Sequence, residues 1–169
     1  MRTVMVFLLM LSLGSCAPRP TAELTFRDIE WSHHGFTIRF ASSENFARVL
    51  AGKSIPYSEF VCAINGDTNF DINHQIVHSL SGEFEYTGNN HSNEYVAVAE
   101  FFTSTPDRTT HRILSNEIVR AFVSKQHTIP CVVRMTVYLG RPYYSSVMQI
   151  PSAKLLNALD ESAHMRIVE

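Results

Sequence analysis

The chain has no excess of basic residues, no apolar run long enough to cross a bilayer, no internal repeat and no low-complexity block. Lys and Arg number 14 against 16 Asp and Glu, a formal charge of −2. That removes the usual electrostatic basis for holding a phosphate backbone, so no nucleic-acid partner is expected. The longest apolar run, Val4 to Leu11, falls well short of the roughly 20 residues a membrane span needs. No G-x-S-x-G or S-x-x-K nucleophile motif occurs. None of the three cysteines has a C-x-x-C neighbour, which argues against a zinc site. No cofactor is expected. What remains is 169 residues, 45% apolar and 18% charged, without an interior linker. That is one globular domain rather than a disordered tail or a fibrous rod.

The amino terminus carries the most specific signal. Arg2 supplies a positive charge, Val4 to Leu11 an apolar core, and Ser12 to Ser15 mostly small residues before Cys16. This is the layout of a secretory signal peptide. Leu13-Gly14-Ser15-Cys16 resembles the lipobox of bacterial lipoproteins. The resemblance covers residues 1–16 only and implies a mode of anchoring, not an activity. It implies removal of residues 1–15 and acylation of Cys16, whose thiol forms the thioether to diacylglycerol. Several acyl chains at about 0.8 kcal/mol per buried methylene hold far more firmly than one. By the family's sorting rule, Ala17 rather than Asp after the cysteine implies an outer-membrane lipoprotein facing the periplasm. Residues 16–22, containing Pro18 and Pro20, would form a lipidated tether, and residues 23–169 the globular domain. Residues 1–15 hold one base and no acid, so the mature chain is one unit more negative than the whole.

Export places the remaining cysteines in an oxidising space. Cys62 and Cys131 each sit in an apolar stretch, as expected of a disulfide joining two strands that face a core. Alternating apolar residues give strands at Leu24 to Trp31 and Phe36 to Phe40, joined as a hairpin through His33, His34 and Gly35. Further strands are expected at Tyr57 to Ile64, at Ile76 to Leu80 and Phe84 to Tyr86 (one bent strand through Ser81 and Gly82, or two short ones), and at Tyr95 to Phe102, Cys131 to Leu139 and Tyr143 to Ile150. Short helices are expected over Ser43 to Leu50, Ile113 to Val123 and Ala153 to Leu159, with a frayed tail after it. The resulting fold is mostly β. It is an antiparallel sandwich of about seven strands with two or three short helices, or alternatively a single antiparallel sheet with helices on one face.

Several constellations in the sequence have a chemical reading and a plainer one. Ala47 to Ser54 loosely matches a phosphate-binding loop, but a helix before Gly52 reads as a cap followed by a polar loop. Asp67, Asn69, Asp71 and Asn73 resemble half of a calcium loop. Ile72 and His78 replace the glycine and the bidentate glutamate that such a loop requires, so a polar turn is the simpler reading. His74 and His78 have helical metal-ligand spacing, and with Asp67 and Asp71 they form the candidate site of an alternative function, an envelope hydrolase using metal assistance. Phe101, Phe102, Tyr143 and Tyr144 place paired rings on opposite strand faces, so that one of each pair can fill the core while the other meets a protein partner. Scarcity of catalytic motifs and an anchor favour a protein-binding module over an enzyme: an envelope-assembly, secretion-accessory or exclusion/immunity factor.

Overall fold

The computed structural model describes residues 21–165, except 33, 50, 52–54, 56, 89–92, 106–110 and 139–140. The expected signal peptide, Cys16 and most of the expected tether therefore lie outside the described residues, as does Gly52. The fold is mostly β, with antiparallel strands and three helices.

β1 (Leu24–Ser32) and β2 (Gly35–Ser42) form the expected hairpin, with a register shift between Phe26 and Asp28. Phe36, Ile38 and Phe40 point into the core, as their period of two requires. Gly35 sits in the turn at φ +121°, where only glycine is at ease. α1 (Phe46–Val49) follows, shorter than expected, with the Tyr95 hydroxyl accepting from the Phe46 amide at 3.0 Å. Next come β3 (Tyr57–Ala63), β4 (His78–Tyr86), β5 (Glu94–Ser104) and β6 (His111–Ile113). β4 is one strand through Ser81 and Gly82. α2 (Asn116–Val123) starts at Ser115, whose side chain accepts from the Ile118 amide. β7 (Thr128–Thr136), β8 (Tyr143–Tyr144), β9 (Met148–Pro151) and α3 (Ser152–Met165) complete the chain.

The strands form one continuous sheet in the order β1-β2-β5-β4-β3-β7-β8, with β6 added to β5 and β9 to β7. Among the described residues there are nine strands rather than about seven. β6 is too short and too exposed to show alternation, and the return from Tyr143 to Ile150 breaks into two strands. In connectivity this is the single-sheet arrangement. The sheet is strongly curled, and so encloses its core from two sides as a sandwich would. Phe40 on β2 stacks on Phe60 on β3 at 5.2 Å, although β5 and β4 lie between them. In a flat sheet those strands would be about 14 Å apart. Gly82 permits part of this curl, because a Cβ there would lie 1.9 Å from the Val98 carbonyl oxygen on β5.

The concave side holds the main core, including Ile38, Phe40, Phe60, Leu80 and Ile129. All three helices contribute to it through Phe46, Val119, Val123, Leu155 and Leu159, so they pack on one face of the sheet. The Asn116 amide donates to the Ser162 hydroxyl at 2.8 Å and ties α2 to α3. α3 runs six residues beyond the expected end at Leu159, because Ser162 is buried and bonded there. Cys62 and Cys131 face each other across β3 and β7, both fully buried on the concave side, and form the expected disulfide. Ala22 belongs to the folded body: it is buried, and its amide donates to the Tyr143 hydroxyl at 2.9 Å.

Candidate functional site

The convex side of the sheet carries a smaller cluster of Val61, Ala63 and Val132, covered by Phe70 and Ile76 from segment 64–77. That segment is built by its own polar side chains. The Asp67 carboxylate accepts from the Asn69 amide at 2.9 Å, the Asn69 side chain from the Asp71 amide at 3.1 Å, and the Asp71 carboxylate from the Asn73 amide at 2.8 Å. The run that resembled a calcium loop is thus a series of turns in which side-chain oxygens bind backbone two residues on. Gly66 adopts φ +79° at its start. The Ile72 amide donates to the Tyr144 hydroxyl at 2.9 Å and fixes the far end.

His74 Nε2 lies 2.7 Å from Asp67 Oδ2. That contact, with the Asn69 amide, holds the Asp67 carboxyl below its ordinary pKa. His78 is elsewhere. It shares the face of Leu80 on β4, its ring is 4.6 Å from Phe122 of α2, and its buried Nδ1 has no hydrogen-bond partner among the described residues. His74 and His78 therefore occupy opposite faces of the sheet. The helical spacing that suggested a shared metal is not realised, because residues 74–77 are loop and β4 begins at His78. Among the described residues, no three His, Cys, Asp or Glu side chains converge as metal ligands.

Segment 64–77 overhangs a cavity of about 230 Å³ on the convex side, floored by strands β3, β4 and β7. Its centre is an ion pair that sequence reasoning missed. Glu59 and Arg134 stand opposite one another in the β3–β7 ladder. Arg134 Nε donates to Glu59 Oε2 at 2.5 Å, with the side chains only 18% and 10% exposed. Two charges interrupting the two most apolar strands were the available signal. Burial, then the charge and hydrogen bonding of Glu59, push the Tyr57 phenol up to about 12, so it stays a neutral donor. Ser79 and Ser81 of β4 line the same cavity, and Ser79 is only 7% exposed. Across the mouth, the Ser104 hydroxyl is 3.0 Å from His111 Nδ1, a cross-strand pair in the β5–β6 ladder. A second groove of about 360 Å³ adjoins the cavity and shares Tyr57, Glu59, Ser81 and His111 with it.

The four aromatic candidates divide by face. Phe101 and Tyr143 are each 3% exposed and fill the concave core, Phe101 edge-on to Phe36 at 4.9 Å. Phe102 and Tyr144 are half-buried, Phe102 lining the second groove and Tyr144 bonded to segment 64–77. Beyond the grooves the convex side of β4 and β5 presents Val98, 44% exposed, among Glu83, Glu85 and Glu100. Those three carboxylates form no ion pair among the described residues. No protein-family model matches the chain, and no curated protein or solved structure is significantly similar to it.

Proposed function

We propose that this chain is a lipoprotein of the bacterial cell envelope, held by acylated Cys16 in the outer membrane facing the periplasm, and that it acts by binding a protein partner. An envelope-assembly, secretion-accessory or exclusion/immunity role fits such a module. The observation that carries the binding reading is the convex side of β4 and β5, which no described element covers. There, apolar surface at Val98, Phe102 and Tyr57 lies beside Glu83, Glu85 and Glu100, which form no ion pair among the described residues. Among the described residues every helix packs on the other side, and none of them covers this face, which suits it to a partner. The buried disulfide supports an oxidising compartment.

Two measurements test the proposal. Mass spectrometry of the protein made in a competent bacterium should find residues 1–15 removed and acyl mass on Cys16, and Cys16→Ala should leave the membrane fraction. An intact leader without acyl mass ends the anchoring reading. A photocrosslinker at Val98 should capture one defined envelope protein in cells, whereas one at Lys125 on the helical side should not. Equal capture at both positions ends the binding reading.

A further inference from the structure

We propose that the cavity beneath segment 64–77 binds a neutral sugar unit through adjacent hydroxyl groups. The charges there balance, since Glu59 and Arg134 neutralise each other. An anionic ligand would face Glu59 and Glu83, and a cationic one would face Arg134, so neither sign is favoured. The groups on offer suit hydroxyls, which donate and accept at once. Arg134 gives its Nε to Glu59, and its two Nη groups, with no bond to another described residue, are left for the cavity it lines. Glu59 keeps acceptor capacity beside them. This puts a charged donor and a charged acceptor side by side, as two neighbouring hydroxyls on a ring require. Ser79 is more than nine-tenths buried and lines the cavity, adding a hydroxyl that can both donate and accept.

Size points the same way. About 230 Å³ is below the roughly 300–1,000 Å³ typical of drug-sized sites, and suits one small ring. The half-exposed Tyr57 ring stands where the cavity meets the second groove, offering an aromatic face to the C–H face of a sugar. The shared groove leaves room for a second linked unit, so a short glycan would bind better than a monosaccharide. This inference is independent of the anchor and of the partner face at Val98, and can fail while both stand.

The test is amide chemical-shift mapping of the full chain as purified, titrated separately with glucose, N-acetylglucosamine and its β-1,4-linked dimer. Acetate and methylamine serve as charged probes. The expected result is saturable shifts with at least one sugar, centred on Tyr57 to Val61, Ser79 to Glu83 and Arg134, and tighter for the dimer than for its monomer. Arg134→Lys, which cannot present the planar fork, should weaken binding about tenfold or more. Ser79→Ala, a small change with little risk to folding, should weaken it several-fold while shifts elsewhere stay those of the parent. The proposal is overturned by no response to any of the three sugars. It is equally overturned by a response to acetate or methylamine alone, or by sugar binding that Ser79→Ala leaves unchanged.

Discussion

Replacing both bridged cysteines, as Cys62→Ala with Cys131→Ala, removes a cross-link spanning 69 residues of sequence. In the chain-entropy treatment, closing a loop of about 70 residues lowers the entropy of the unfolded chain by about 15 cal/mol/K, or about 4.4 kcal/mol at 25 °C. For a body of about 150 residues, unfolding entropy near 2.1 cal/mol/K per residue makes each kelvin of Tm worth about 0.3 kcal/mol. The variant should therefore melt roughly 15 °C below the oxidised parent. Alanine is the informative replacement, because both positions are fully buried and a serine hydroxyl there would add its own desolvation cost. Urea unfolding followed by circular dichroism gives the free-energy difference directly. Its m-value should rise in the variant, since the unlinked chain exposes more surface. Equal stability of the variant and a parent whose bridge is verified by mass would refute the entropic reasoning. Two cysteines that both react with a thiol reagent in the folded parent would refute the bridge itself.

Gly82→Ala should destabilise more than an ordinary strand substitution, by more than about 1 kcal/mol, because its Cβ would strike the Val98 carbonyl oxygen on β5; thermal melting checks this, and a variant within 2 °C or so of the parent would contradict it. Phe40→Ala removes a fully buried ring stacked between Phe60 and Tyr95 and should cost about 3–5 kcal/mol, read by denaturant unfolding. Acid should loosen segment 64–77 before the rest of the fold. The Asp67 pKa is lowered in the folded state, so its contribution is present above the ordinary carboxylate range and is lost as pH falls through the depressed value. Amide exchange at Asn69 and His74 measured against pH would show it, and Asp67→Asn should abolish that dependence. Tyr57 moves the other way: its raised pKa gives a contribution that is full below about 10 and lost as pH climbs toward about 12. Ultraviolet titration of the parent against Tyr57→Phe would identify the late-ionising phenol.

Much of the architecture can be read from residue order, because period-two alternation is strong where one face is buried. Phe36, Ile38 and Phe40 announce β2, and the run from Tyr95 to Phe101 announces β5. The cysteine pair is legible from parity and apolar context. What alternation does not carry is curvature. In sequence Gly82 leaves one bent strand or two short ones open; in three dimensions it lets one strand continue through a close approach to its neighbour. The cavity is less legible. Glu59 and Arg134 are 75 positions apart and become partners only through the β3–β7 register, which local pattern does not fix. Conversely, His74 and His78 look related by spacing and are parted by the boundary between loop and strand.

The curl also settles what happens at the rims of the sheet. A long unpaired strand flank is a template for recruiting other chains, and a nine-stranded open sheet would ordinarily offer two. Here the flank of β1 comes round against α3 and β9, so the rims shelter one another. The three-residue β6 is exposed throughout, and its short length limits how much of a foreign strand its flank could template. Were the chain held on a membrane surface, as proposed, it would gain most from such protection, because crowding there multiplies every chance of strand exchange between neighbours.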